Sequence, residues 1–297
     1  MQCRRRIKGA GILGYARRPP ASRSTLTHPE PSPEPSLEPA AIFRREGEEL
    51  VPSLLAQGPW NPQHLHGGPI CGALARAIEA CESPVAMRVA RMTVEMTRAV
   101  PIAPFSVSAD VTRSGRRIQQ IDARIAADGQ TLVRATALRV RVAERDGEIA
   151  IPIDEPVPMR APGPPRDPET IRLFSPGFIR SLEFMRTRLA TREQDGVIWA
   201  RLLLPLVEGE PLTPFVRLAT LCDFASGTGN ALDFTSFTSI NPDLSLHVLR
   251  EPRGEWIGIM ARSGIEADGI GQSYATLFDA EGPIARALVS LLVERRS

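Results

Sequence analysis

The sequence has few cysteines, almost no net charge and no long apolar run. Its four cysteines lie far apart and form no Cys-x-x-Cys pair. We therefore expect neither structural zinc nor a disulfide framework, and a reducing cytoplasm is the expected compartment. A formal net charge of +2 argues against a dedicated nucleic-acid-binding protein, because no strongly basic face is implied. No apolar stretch reaches the roughly 18 residues of a membrane span, so no membrane-crossing segment is expected.

The remaining composition is that of a globular protein, with an exception at the start. The 297 residues are 42% apolar and 24% charged, and they suffice for two ordinary domains or one large one. Residues 1–40 are basic before Glu30 and proline-rich after it. Such a start can resemble an organellar transit segment, but its composition favours a disordered extension. We exclude it from the predicted fold.

One stretch, residues 60–78, organises the rest of the chain. A turn-rich approach leads into His66-Gly67-Gly68 and then into a helix predicted to end near Ala80. Apolar residues occupy nearly every face of this helix, which predicts that it is buried. The unpaired N–H groups at its start can receive negative charge.

Four strand patterns follow this helix in close succession. They cover residues 90–96, 105–112, 118–126 and 132–142. In the second of them, apolar and polar residues alternate without a break, which is typical of a half-buried strand. Turns at Ser114-Gly115 and Asp128-Gly129 make the connections short, and short connections require antiparallel pairing. One helix and one antiparallel sheet make an α+β unit.

The second half of the sequence repeats this pattern, with its own helix at 213–226. The hairpin turn Asp128-Gly129 corresponds to Glu281-Gly282, and Thr93 corresponds to Ser245 at nearly the same offset. Two copies of one unit at a near-constant offset indicate an internal duplication. The predicted organisation is an N-terminal repeat, a proline-rich linker and a C-terminal repeat, at residues 41–149, 150–170 and 171–297.

Four segments carry a family resemblance. They are Trp60 with His66-Gly67-Gly68, Cys222-Asp223-Phe224, Thr238-Ser239-Ile240-Asn241, and Ile284-Ala285-Arg286-Ala287-Leu288-Val289. In this order and spacing they resemble the double-hotdog acyl-CoA thioesterases of the thioesterase II type, over about Phe43 to Arg296. The resemblance implies an α+β double hotdog, in which each repeat is an antiparallel sheet wrapped round a central helix. It also implies hydrolysis of acyl-CoA to free acid and CoA without a cofactor. A homodimer is expected, because hotdog units commonly bury their sheet edges by pairing.

The same resemblance assigns catalytic roles. In thioesterase II proteins an Asp, a Thr or Ser, and a Gln hold the attacking water, and by position these fall on Asp223, Ser239 and Val289. Asp223 is then the expected general base, and Ser239 is expected to orient the water. The plain alternatives are an Asp that caps the loop at 226–230 and a Ser in an ordinary turn. Because Val289 cannot form a side-chain hydrogen bond, a non-catalytic acyl-CoA or lipid-binding protein is the second hypothesis.

The helix start is the candidate substrate-binding element. Gly67 and Gly68 can supply an oxyanion hole for the thioester oxygen, although a tight turn alone would also need glycine. His64 and His66 have no third ligand nearby in sequence, so no metal is expected. His66 is expected to hydrogen-bond the loop or the acyl-CoA. The cysteines near the two helices, Cys71, Cys81 and Cys222, are predicted to be small core residues.

Overall fold

The computed structural model describes residues 39–143, 150–153, 155–158 and 177–296. Almost all of the predicted extension at 1–40, and most of the predicted linker at 150–170, lie outside these residues. The described residues therefore belong mostly to the two predicted repeats.

The first half of the described chain contains six strands and one long helix. In chain order these are β1 (Phe43–Glu46), β2 (Glu49–Pro52), α1 (Gly67–Ala80), β3 (Met87–Glu95), β4 (Phe105–Ser114), β5 (Ile118–Ala127) and β6 (Gln130–Arg141). In β5, the buried residues Ile121, Ala123 and Ile125 alternate with exposed ones, because successive side chains of a strand point to opposite faces of the sheet.

The second half contains seven strands and two helices. They are β7 (Leu182–Arg188), β8 (Gly196–Leu202), α2 (Pro214–Cys222), α3 (Phe224–Gly229), β9 (Phe237–Ile240), β10 (Asp243–Val248), β11 (Ile257–Ile265), β12 (Ile270–Asp279) and β13 (Gly282–Arg295). Thr213 caps α2, since its hydroxyl accepts the N–H of Val216 over 3.1 Å. The prediction of a single helix at 213–226 is wrong in one respect, because the structure has two helices there that meet at Asp223.

All of these strands form one sheet. Its order is β1-β2-β4-β5-β6-β3-β10-β13-β12-β11-β8-β7, and β9 pairs separately with β13. The two halves join where β3 pairs with β10 in antiparallel fashion. Thr93 and Ser245, which the repeat pattern aligns, lie directly opposite each other at this joint, with their hydroxyl oxygens 3.1 Å apart. Outward from the joint, the order β3-β6-β5-β4 in the first half matches the order β10-β13-β12-β11 in the second, as expected of two copies of one unit.

The helices pack together on one face of this sheet. Helix α1 contacts α2 and strands β4 and β5, and α3 contacts β11 and β12. The prediction that α1 is buried almost all round is confirmed, since nine of its residues are buried. A β-carbon at Gly72 would lie 2.2 Å from the Thr220 hydroxyl, so the two helices approach more closely than alanine would permit. Among the described residues, no helix has the length and apolarity needed to cross a membrane.

Candidate active site

A cavity of about 260 Å³ lies between the start of α1 and the junction of α2 and α3. Most of its wall is apolar, but three polar side chains meet at one place in it: His66, Asp223 and Asn241. These residues come from three separate segments of the chain. A mainly apolar cavity with a few convergent polar groups is the usual form of a small-molecule site.

Asp223 is the charged centre of this group. It lies at the end of α2, and only 4% of it is exposed. Nδ2 of Asn241 donates to its Oδ1 over 2.8 Å, and Nδ1 of His66 lies 3.0 Å from its Oδ2. Burial alone would raise the pKa of Asp223. A hydrogen bond and electrostatic attraction from the His66 imidazole, with further hydrogen bonds from Asn241 and the Gly68 N–H, outweigh burial and lower that pKa. The carboxylate is therefore ionised at neutral pH.

His66 joins this carboxylate to the start of α1. It is the residue that caps the helix, and its Nδ1 lies 3.0 Å from the Gly68 nitrogen as well as 3.0 Å from Oδ2 of Asp223. An unprotonated Nδ1 accepts the Gly68 N–H, whereas a protonated Nδ1 donates to Asp223. The ionised carboxylate favours the proton on Nδ1, because two acceptors would otherwise face each other. In that tautomer the other ring nitrogen, Nε2, is free to accept a proton.

Glycine at residue 67 allows this contact. The Cα of Gly67 faces the carboxylate so closely that any side chain there would collide with it. Of the two glycines predicted to bind the substrate oxygen, only Gly67 lines the cavity. The N–H of Gly68 also forms a hydrogen bond with the Asp223 carboxylate, which leaves the N–H of Gly67 as the one candidate donor to the substrate oxygen.

Two family models match successive parts of the sequence. One, described as the acyl-CoA thioesterase N-terminal domain, matches residues 56–140, and the other, described as the acyl-CoA thioesterase C-terminal domain, matches residues 154–293. Together these matches cover well over half of the sequence. The chain belongs to the acyl-CoA thioesterase family.

Solved structures resemble this family member in fold. One is a provisionally named thioesterase II from Thermobifida fusca (17% identity, TM-score 0.63, covering 86% of this chain and 96% of that one). Another is the acyl-CoA thioesterase II TesB2 from Mycobacterium marinum (14% identity, TM-score 0.61, covering 87% of this chain and 96% of that one). A third is a protein of unknown function with a hotdog fold from Alicyclobacillus acidocaldarius (16% identity, TM-score 0.62, covering 87% of this chain and 97% of that one). The predicted α+β double hotdog is thereby confirmed. A comparison with curated proteins finds no match to the sequence.

Ser239, which the resemblance implies orients the attacking water, forms no hydrogen bond with Asp223 among the described residues. Ser239 lies in β9 opposite Val293, where it is buried, and its hydroxyl has no hydrogen-bond partner among the described residues. It does not line the cavity. The side chain that contacts Asp223 is Asn241, two residues further along. The Asn-Pro turn at 241–242 is visible in the sequence, but no local pattern indicates that its amide reaches a carboxylate on another element.

Val289 is the residue on which the resemblance places the family glutamine. It is fully buried in the apolar core and lies opposite Ser273 on β12. The Ser273 hydroxyl donates to the Ala225 carbonyl over 2.8 Å. Position 289 therefore offers no side-chain hydrogen bond.

The remaining candidates lie apart from this contact. His64 lines the cavity, but no three His, Cys, Asp or Glu side chains of the described residues come close enough together to hold a metal ion. Cys71 and Cys222 are buried, Cys81 is partly buried, and all three are free thiols. A hydrogen bond with Cys222, together with burial, raises the pKa of the Cys71 thiol. A raised thiol pKa disfavours the nucleophilic thiolate.

Proposed function

We propose that this protein hydrolyses acyl-CoA thioesters to a free acid and CoA, and that the reaction takes place at the His66–Asp223 contact. The observation that carries the proposal is the 3.0 Å approach of His66 Nδ1 to a buried, ionised carboxylate in the wall of an apolar cavity. Membership of the acyl-CoA thioesterase family supports the same substrate class.

The sequence suggests Asp223 as the direct base, but the geometry favours a role through His66. Both carboxylate oxygens already face donors, and the lowered pKa makes the carboxylate a weak base. Asp223 instead accepts Nδ1–H and holds the imidazole in the tautomer whose Nε2 takes a proton. This is the carboxylate–imidazole arrangement that serves general-base chemistry on unrelated folds. Asn241 positions the carboxylate.

The proposed reaction has two steps. In the first, Nε2 of His66 takes a proton from water while the water oxygen attacks the thioester carbonyl carbon. The N–H of Gly67, at the start of α1, stabilises the oxyanion of the tetrahedral intermediate, a contribution of about 2.7–4 kcal/mol for one such donor. In the second step the C–S bond breaks, and the departing thiolate takes the proton from Nε2. The products are the free acid and CoA, and His66 returns to its starting state.

A second candidate function is non-catalytic binding of an acyl-CoA or lipid. The specific observation that favours it is Val289, which places an apolar side chain where the family holds water with a glutamine. Under this hypothesis the cavity keeps its affinity for the acyl group without turning it over. The two candidates differ in one measurable property, which is thiol release.

The test measures thiol release from acyl-CoAs of different chain length and shape. Wild-type protein is compared with Asp223→Asn and His66→Gln, and each variant has a matched control at an exposed position, Asp128→Asn and His247→Gln. We expect each site variant to lose at least about 100-fold in kcat/KM, while the controls keep wild-type rates. Turnover that survives in both site variants would refute the mechanism. A wild-type protein that releases no thiol but melts at higher temperature with acyl-CoA would establish the binding function instead.

We also propose a homodimer in solution. Strand β7 ends the sheet on one side, whereas β1, on the other side, is bridged at Phe43 to Val207. The open edge of β7 favours association with another chain. Light scattering that gives the mass of one chain at micromolar concentration would rule this out.

A further inference from the structure

Aromatic side chains are concentrated at the candidate active site. Phe, Trp and Tyr make up only 5% of the sequence, yet five of them line the one cavity that holds His66 and Asp223. They are Trp60, Phe178, Phe184, Phe224 and Phe234. Such a concentration in a single wall calls for an explanation beyond general apolarity.

Three of these rings surround the catalytic contact. The ring centroids of Phe178 and Phe224 lie 5.0 and 5.2 Å from that of His66. Phe184 lies 5.9 Å from Phe224, and both Phe178 and Phe184 are almost fully buried. An acyl group whose carbonyl carbon meets His66 would therefore place its first carbons against ring faces and edges.

The other two rings form a separate pair in the wall. Trp60 and Phe234 lie 5.8 Å apart, centroid to centroid. The guanidinium of Arg296 lies over the indole of Trp60 at 5.4 Å, so the end of the last strand helps to fix this ring. A cation over an aromatic face is a stabilising contact. The pair is thus held in place from outside the cavity.

The size and stiffness of the cavity restrict what it can accept. Its volume of about 260 Å³ is just below the range of about 300–1,000 Å³ found for pockets that enclose drug-sized ligands. Of the apolar side chains that line it, only Met96 is a long unbranched one, and such side chains are the ones that adapt to irregular ligands. Aromatic rings have few rotatable bonds and keep their shape. The cavity suits a small, flat group better than a long flexible chain.

We propose that the preferred acyl group is compact and aromatic, as in an aryl or arylalkyl thioester of CoA. Aromatic rings attract one another in edge-to-face and offset-stacked arrangements beyond the effect of area burial. A ring in this cavity meets several such partners, whereas an alkyl chain of equal carbon number gains only from burial. This inference rests on the proposed hydrolysis, because it names the substrate class of the same site.

The test compares two acyl groups of eight carbons that differ in shape, phenylacetyl-CoA and octanoyl-CoA, with palmitoyl-CoA as a long-chain reference. We expect kcat/KM for phenylacetyl-CoA to exceed that for octanoyl-CoA at least tenfold, and palmitoyl-CoA to be the poorest substrate. The ratio of two kcat/KM values from one preparation is independent of the fraction of folded enzyme. A variant that folds incompletely is therefore still informative.

Phe184→Leu removes one ring from the wall while keeping an apolar side chain. We expect it to lower the phenylacetyl-to-octanoyl ratio about fivefold, in line with the loss of a single aromatic pair. The matched control is Phe105→Leu, because Phe105 is buried beside Phe43 in the core and does not line the cavity. The control is expected to keep the wild-type ratio.

The outcomes separate this inference from the proposed function. If octanoyl-CoA or palmitoyl-CoA is hydrolysed as well as phenylacetyl-CoA, or if Phe184→Leu leaves the ratio unchanged, the aromatic preference is wrong and the thioesterase stands. If no thioester is hydrolysed, the proposed hydrolysis fails. The preference is then decided by the rise in melting temperature, which must be larger with phenylacetyl-CoA than with octanoyl-CoA; equal rises would overturn it.

Discussion

A β-carbon on Gly67 would lie 2.6 Å from Oδ1 of Asp223 and 2.7 Å from Oδ2. The carboxylate therefore occupies the space that any side chain at residue 67 would need. Because one residue begins α1 and the other ends α2, this relationship limits how closely the two helices approach at the His66–Asp223 contact.

Gly67→Ala is expected to separate Asp223 from His66. Displacing positioned catalytic groups by about 1 Å can cost about 100-fold in rate, so we expect a loss of that order in kcat/KM. Forcing an extra carbon into a packed site costs about 1–3 kcal/mol of stability, which thermal unfolding will detect. The control is Gly264→Ala in β11, where an added β-carbon meets no atom within 4 Å. Wild-type kcat/KM in Gly67→Ala would contradict the assigned site.

Asp223 is expected to make the stability of the folded protein depend on pH. Its pKa in the folded protein is lowered, although burial opposes the shift, because His66, Asn241 and the Gly68 N–H stabilise the charged form. A group of this kind contributes stability above its unfolded pKa and loses that contribution as the pH falls through its folded pKa. We expect the free energy of unfolding of wild type to exceed that of Asp223→Asn by about 1.5–3 kcal/mol at neutral pH. The difference should shrink between about pH 5 and pH 1. Denaturant unfolding at each pH measures it, and a constant difference would show that Asp223 is not charged in the folded protein.

Substitutions at the two neighbouring positions Asn241 and Ser239 are expected to have different effects on kcat/KM. Asn241→Ala removes a 2.8 Å hydrogen bond to the Asp223 carboxylate, and a hydrogen bond to a charged group is worth about 1.5–3 kcal/mol. We expect kcat/KM to fall by about tenfold or more. Ser239→Ala removes a buried hydroxyl that has no partner among the described residues, so the rate should change less than about twofold. The reverse order would restore the role that the family resemblance gives to Ser239.

The duplication also relates two cavities. Each N-cap residue contacts an acid on the opposite helix: His66 meets Asp223, and Thr213 donates its hydroxyl to Oε2 of Glu79 over 2.5 Å. Glu79 lines a second cavity of about 280 Å³. Among the described residues lining that cavity there is no histidine, and a threonine hydroxyl is a poor proton acceptor.

We therefore expect each chain to bind one acyl-CoA. Asp223→Asn should bind phenylacetyl-CoA with little turnover. Titration calorimetry of this variant therefore measures how many phenylacetyl-CoA molecules bind per chain. His66→Gln serves as a second non-hydrolysing form. Two molecules bound per chain with similar affinity would show that the second cavity is also a thioester site.

Much of the fold could be predicted from local patterns of apolar side chains and turn residues. The alternation in β5, the hairpin turn at Asp128-Gly129 and the apolar faces of α1 each follow from the residues in one short window, because side-chain periodicity reports the element directly. The break of the second helix at Asp223 was not readable. It accompanies contacts with His66 and Asn241, which lie far away in the sequence.

The candidate site was only partly predictable. Asp223 and the two glycines that begin α1 were named from the order of short motifs, and the structure brings Asp223 and Gly67 together. Asn241 was missed in favour of Ser239, because a window of hydroxyl residues does not reveal which side chain points towards a distant carboxylate. The single donor left at the helix start was also not foreseen, since Asp223 and His66 take up the N–H of Gly68.

The sequence by itself determined the family, the α+β double hotdog and the presence of a buried acid beside the second helix, since these depend on periodicity and on motif order. Only the tertiary structure decided which polar groups contact that acid, which cavity they line, and which aromatic rings line the same cavity. Those properties depend on distances of a few ångströms between elements that are far apart in the chain, and hydrogen bonding and pKa change over that same scale.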